Sequence, residues 1–265
     1  MAEYSNSLFD SHIHIGQFKE IYYYPWKVIQ VLDKYGVKGA YVSSTTSCID
    51  WDDQFEKKYI LNHIGEEFDE FTYFAEKLNF DARPLCWIIP RRFLEGDSIE
   101  QIMNESHYAG FKIHPRAHRW DVKNDKICML MDEICEYADL HNLPVWIHTG
   151  LCDFESPLKF EKWYKTYPNV VFVMAHCKAE CQVLELFKKY DNVYGDVAFF
   201  PVSSMGKFIY HGYGNRLLFG TDFPITTSFD NLKYIDDKLL YENYNQIINE
   251  WRYYMPFLGN IDNVL

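Results

Sequence analysis

Leu8–Gly16, LFDSHIHIG, sets two histidines two positions apart in a run of strand-forming residues. A solvated tail, a histidine-bearing sheet edge and half of a metal site all fit the run when it is taken alone. Side chains alternate along a strand, so His12 and His14 share one face and Ile13 takes the other. The same parity puts Asp10 on the histidine face, one layer deeper. What that face meets depends on the rest of the chain.

Short apolar runs recur downstream: VKGAYVSS (37–44), ARPLCWIIP (82–90), YAGFKIHP (108–115), LPVWIHTG (143–150), VVFVMAHC (170–177), NVYGDVAFF (192–200) and RLLFGTDFP (216–224). Between them lie helical patterns such as KICMLMDEICEYADLHN (126–142) and AECQVLELFKKYDN (179–192), apolar at 3.6-type spacing. Eight strands with helical crossovers predict a parallel sheet. Eight such units in 265 residues fit an α/β fold of the (β/α)8 (TIM) barrel type, a single domain over residues 1–265. A doubly wound open sheet would carry a glycine-rich phosphate turn after its first strand, and none is present.

Composition narrows the function classes. Apolar residues at 48% and aromatics at 18% give a packed globule rather than a disordered chain. The net charge of -12 repels polyanions, so neither nucleic acid nor an anionic membrane surface is expected as a partner. Seven cysteines, an odd number spread along the chain, read as reduced thiols rather than a disulfide framework. The opening residues lack the charged and apolar regions of an export signal, and no apolar run approaches the ~18 residues of a membrane span. A cytoplasmic location is expected.

The expected strands share a feature at their C-terminal ends, where a barrel builds its active site. His12 and His14 end the first, Lys112 and His114 the fourth, His148 the fifth, His176 the sixth and Asp222 the eighth. By alternation His148 shares a face with Trp146, His176 with Phe172 and Met174, and Asp222 with Leu218 and Gly220. Any one buried histidine is more often a hydrogen-bonded core residue than a ligand. Four inward histidines and an aspartate, however, are costly to bury without a partner, and one shared cation explains them together. Imidazoles and a carboxylate suit Zn²⁺ or a similar ion, Mn or Fe, which would activate a water and polarise a carbonyl. Asp222 could then take the nucleophile's proton.

These motifs, DSHIHIG, GFKIHPR, LPVWIHTG, VMAHC and LLFGTDFP in that order, resemble the amidohydrolase superfamily over nearly the whole chain. The branch they resemble includes aminocarboxymuconate-semialdehyde decarboxylase. The resemblance implies that His12, His14 and His148 are metal ligands, and that Asp222 is a ligand and a catalytic acid/base. It implies that His176 is catalytic, orienting the attacking water, or that it binds a second metal. A carboxylated Lys112 would bridge two metals; as an ordinary cation it would pair with Asp222 or a substrate carboxylate. One ion is favoured over two.

Arg91 and Arg92 follow the third strand, and Arg116, His118 and Arg119 the fourth. Arginine captures carboxylate or phosphate bidentately, so a small anionic substrate is expected, with Arg116, His114 and Lys112 as its binding residues. For any one arginine, pairing with a surface acid is an equal alternative. IYYYPW (21–26) reads as an aromatic wall in the first loop, with Pro25 opening a helix. Cys177 reads as packing, Asp196 as a support for the site, and the C-terminal residues as a closing helix and cap. The expected function is a metal-dependent hydrolase that uses a metal-activated water on an amide, ester or lactone bond. A metal-dependent non-oxidative decarboxylase is the alternative enzyme, and a non-catalytic ligand-binding barrel the alternative of another class. A homo-oligomer is compatible with either.

Overall fold

Strand β1 (Leu8–Phe18) is the first element in a computed structural model that describes residues 8–226, 229 and 232–261. A short strand β2 (Ile21–Tyr23), helix α1 (Pro25–Lys34), strand β3 (Val37–Ser44), helix α2 (Gln54–Leu78) and strand β4 (Asp81–Pro84) follow. Next come β5 (Cys86–Trp87), α3 (Pro90–Leu94), α4 (Ile99–Met103), β6 (Phe111–Ile113), α5 (Asp125–His141) and β7 (Val145–His148). The remainder is α6 (Glu161–Thr166), β8 (Phe172–Ala175), α7 (Glu180–Lys189), β9 (Val193–Asp196), α8 (Val202–Tyr210), β10 (Leu217–Leu218) and α9 (Asp237–Trp251). Two compact units make up the chain: residues up to Arg83 with Gly220–Tyr253, and Pro84–Phe219 with the residues after Tyr253.

The first unit holds a four-stranded sheet in the order β2-β1-β3-β4. β1 and β3 are parallel because α1 carries the chain back between them, burying Val28, Ile29, Val31 and Leu32. β2 is antiparallel to β1, paired Phe18 with Ile21 across a two-residue turn in which Lys19 adopts φ +54°. IYYYPW is therefore half a hairpin strand rather than a loop, and Pro25 does open α1. Helix α2 is bounded by Asp53, whose side chain accepts from Phe55 N and Glu56 N, and by Asn79 in the left-handed conformation.

The second unit holds six strands in the order β10-β9-β8-β7-β6-β5, every described pair parallel and every neighbour consecutive in sequence. A helix stands between each strand and the next, so the unit is a run of β/α repeats. α5 shows the local logic: Asn124 caps its start, Asn142 ends it at φ +54°, and Leu130, Met131, Ile134, Cys135 and Ala138 bury one stripe. The strands are buried on both faces; Val145, Trp146, Ile147, Phe172, Val173 and Met174 are all fully inaccessible.

Two expected strands differ in extent. ARPLCWIIP breaks at Leu85 into β4 and β5, since Pro84 has no N–H to extend a ladder. RLLFGTDFP is a strand only at Leu217–Leu218, so Asp222 is not placed by regular alternation with Leu218. No disulfide joins the described cysteines, and no described helix is long and apolar enough to cross a membrane.

Candidate metal centre

In the first unit three of the expected residues meet. His12 Nε2 lies 3.0 Å and His14 Nε2 3.1 Å from Asp222 Oδ1, and the three residues are 1%, 4% and 5% exposed. The backbone brings this about. Residues 221–223 run beside β1, with Asp222 N donating to the His12 carbonyl at 2.7 Å and His14 N to the Phe223 carbonyl at 2.7 Å. Asp222 takes φ +61°, a left-handed conformation that costs a non-glycine residue about 1–2 kcal/mol. Such strain persists where the surroundings over-determine it.

Asp10 supplies much of that determination. Its carboxylate accepts from Thr221 Oγ1 at 2.7 Å, Thr221 N at 3.1 Å, His12 N at 3.2 Å and Tyr244 OH at 3.0 Å. Burial raises its pKa from 3.8 to about 7 against the pull of those four donors. Asp10 thus ties β1, the residue before Asp222 and helix α9 into one unit. It is fully buried, and a register shift of β1 between Asp10 and Ile13 interrupts the plain alternation expected with His12.

The donor set fits a cation. His14 Nδ1 is 3.2 Å from the Ser43 carbonyl oxygen and 3.0 Å from Ser43 Oγ; donation of Nδ1–H to that carbonyl would leave Nε2 a lone pair for a cation. Nε2 and Asp222 Oδ1, 3.1 Å apart, are then two donor atoms that one cation could join. Ligands on a tetrahedral ion at about 2.0–2.2 Å stand about 3.3 Å apart; the two histidine nitrogens stand 3.0 and 3.1 Å from Asp222 Oδ1, and all three ligand atoms lie within 4.8 Å of one another.

The second unit gathers a different group. His148 Nδ1 faces His176 Nε2 at 3.1 Å, while His148 Nε2 lies 3.3 Å from Glu155 Oε1. His176 Nδ1 is 3.2 Å from the Ala198 carbonyl oxygen. His176 and Cys177 both take positive φ, +73° and +47°, just past the end of β8. Asp196, fully buried, accepts from His176 N at 2.9 Å and Ala198 N at 3.1 Å, and so holds the strained turn. Burial raises Asp196 to about 6, with Lys112 pulling the other way. Lys112 is itself only 1% exposed. Cys177 packs on Gly195, where a Cβ would stand 2.1 Å from its sulfur.

Of the expected substrate residues, His114 stacks between Trp87 (5.5 Å, 15°) and His148 (3.7 Å, 14°), and Arg116 is exposed. Arg91 pairs with Glu95 at 2.9 Å, and Arg92 with Asp97 and Glu105 at 2.7 Å each. Those two arginines take the alternative reading, as partners of acids on their own surface.

Sequence reasoning missed Glu155, Ser43, Thr221, Tyr244 and Glu67. Glu67 is 1% exposed and accepts from Thr46 Oγ1 at 2.6 Å and from Ser44 Oγ. Thr46 Oγ1 also accepts from Gln17 N at 2.8 Å, so the cluster fixes the end of β1. Gly16, at φ +87°, has no room for a Cβ, which would lie 2.5 Å from Thr46 Oγ1. A signal for Glu67 existed: it falls in the buried stripe of α2 with Ile60, Ile64, Phe68 and Phe71, where a carboxylate needs partners.

The fold is α/β of the (β/α)8 class, and solved structures of the same class resemble it. A TatD-like protein from Archaeoglobus fulgidus matches at 15% identity and a TM-score of 0.52, over 91% of this chain and 99% of that one. A phosphotriesterase homology protein from Escherichia coli, with phosphate in its active site, matches at 11% identity and a TM-score of 0.56, over 95% and 94%. A TatD family hydrolase from Entamoeba histolytica matches at 11% identity and a TM-score of 0.51, over 87% and 81%. No match was found among curated proteins. At these identities the likeness is one of fold. The amidohydrolase family model matches residues 49–248, and the chain belongs to that family.

Proposed function

We propose that this protein is a metal-dependent hydrolase acting on an amide, ester or lactone bond of a small anionic molecule. The observation that carries the proposal is the convergence of His12 Nε2 and His14 Nε2 on Asp222 Oδ1, with the other nitrogen of His14 tied to a backbone carbonyl. Two imidazoles and one carboxylate are three protein ligands, the number that catalytic zinc sites use, and one zinc ion is the cofactor we assign. When bound, such an ion polarises the scissile carbonyl and makes water a nucleophile near neutral pH.

The chain's own residues divide the rest of the work. Asp222 takes the proton from the attacking water and passes it to the leaving group, as a carboxylate in contact with the nucleophile can. His14 keeps its orientation through Ser43, and Asp222 through Thr221 and Asp10. In the second unit, we assign His148 the role of metal ligand and His176 that of orienting the water. Each turns one nitrogen to an acceptor, Glu155 or the Ala198 carbonyl, and so leaves the other for that role. Arg116, exposed just after β6, is the cation for the substrate's anionic group. Lys112 remains an ordinary ammonium, buried in the same unit as Asp196.

The test is metal quantitation together with a panel of amides, esters, lactones and carboxylated substrates, with Asp222→Asn as control. The proposal expects zinc-dependent hydrolysis, lowered about 10²–10⁴-fold in Asp222→Asn. Turnover undiminished in that variant would refute it. Release of CO2 in place of a hydrolysis product would make the protein a decarboxylase.

A further inference from the structure

Glu155 is a buried carboxylate that none of the expected roles accounts for. It closes the 3-10 turn Asp153–Glu155 after β7 and is 5% exposed. The turn folds back on the strand end, with Gly150 N donating to the Glu155 carbonyl at 3.1 Å. A Cβ at Gly150 would stand 2.3 Å from Glu155 Oε2, so the glycine makes room for the carboxylate. Cys152 Sγ donates to Oε2 at 2.9 Å, while Oε1 lies 3.3 Å from His148 Nε2.

The His148 ring therefore has unlike neighbours on its two nitrogens. Nε2 faces the carboxylate, and Nδ1 faces His176 Nε2 at 3.1 Å. The His176 ring is fixed in the same sense, its Nδ1 against the Ala198 carbonyl at 3.2 Å. An acceptor on one imidazole nitrogen keeps the proton there and leaves the lone pair on the other. Carboxylates orient metal-binding histidines in this way. Two nitrogens 3.1 Å apart also stand close to the separation of two ligands on one ion with bonds of about 2.0–2.1 Å.

We propose that Glu155 is a positioning residue. By accepting from His148 Nε2–H it turns Nδ1 towards His176 Nε2 and makes Nδ1 the atom through which His148 binds a divalent cation. The inference rests on the reading of His148 as a metal ligand. It adds that the loop after β7, and not the strand alone, sets the geometry of that ligand.

The experiment measures zinc affinity by competition with a chromophoric chelator, for wild type, Glu155→Ala and Glu155→Gln. Thermal melts and the ring ¹⁵N shifts of His148 accompany it. Glu155→Ala is expected to bind zinc about 10–100-fold more weakly. Glu155→Gln, whose amide oxygen accepts the same N–H, should stay within about threefold of wild type. In zinc-free wild type and Glu155→Gln, His148 Nε2 should carry a proton, whatever Nδ1 carries. If Glu155→Ala does not fold, the glutamine variant and these ring shifts decide the matter. Affinity unchanged in Glu155→Ala, no proton on Nε2 in zinc-free wild type, or equal losses in both variants would overturn the proposal. The last would mean that the carboxylate binds the ion itself. Wild type that takes up no zinc would overturn the metallohydrolase reading, and this inference with it.

Discussion

Asp10→Asn tests the buried network under the site. Burial holds the Asp10 carboxyl at about 7 against an ordinary 3.8, so the folded protein binds that proton more tightly than the unfolded chain. Stability from this group is fully present below pH 3.8 and is lost as pH rises through about 7. At about 1.4 kcal/mol per pH unit between those values, the whole effect is about 4 kcal/mol, of which about 2.5 kcal/mol falls between pH 5 and 8. Asparagine does not titrate, and its amide oxygen still accepts from His12 N and Thr221 N, which both bond one carboxylate oxygen. The Thr221 and Tyr244 hydroxyls, which donate to the other oxygen, must turn to accept instead. The variant is therefore the less stable at pH 5 and gains on wild type towards pH 8. The assay is urea unfolding of chelator-treated protein at pH 5, 6, 7 and 8, read as wild type minus variant. That difference cancels the other titrating groups. It should change by about 2.5 kcal/mol across the range, in the variant's favour at high pH. A change under about 0.5 kcal/mol, or one of opposite sign, would refute the reasoning.

Gly195→Ala puts a methyl 2.1 Å from the Cys177 sulfur inside the second unit and should cost about 1–3 kcal/mol in thermal or urea unfolding. Adding Cys177→Ala should recover most of it; no recovery would mean that the clash is not the cause. Arg116→Ala should raise KM for the true substrate and leave kcat near wild type, whereas an unchanged KM would remove Arg116 from substrate binding. Gly16→Ala should destabilise the protein measurably by denaturant titration, since both its φ of +87° and the Thr46–Glu67 cluster exclude a Cβ. Stability equal to wild type would show that the cluster yields.

Much of the architecture could be read from period alone. α5 and α7 declared themselves by apolar spacing, and β6 to β9 by short runs bounded by polar residues, because a doubly buried strand has little else to be. The β1–β2 hairpin was hidden because its turn, Lys19-Glu20, lacks the Asn-Gly or Asp-Gly signature. The surroundings of Asp222 were hidden for another reason. Residues 221–223 bond to β1, some 210 positions earlier, and no local pattern records that pairing. His12, His14 and His148 were legible since alternation on a strand is local, whereas His176 lies past the end of β8 at φ +73°. Their supports were not: Ser43, Thr221, Tyr244 and Glu155 act through bonds across long separations or through a turn that needs Gly150.

The central claim is that His12, His14 and Asp222 hold a catalytic divalent ion. Elemental analysis of purified wild type and of His12→Ala/His14→Ala, each loaded with zinc and desalted, tests it most directly. The account predicts one zinc per wild-type chain and none in the double variant, with both proteins folded by circular dichroism. Wild type without zinc, or a double variant that keeps its zinc, would contradict it.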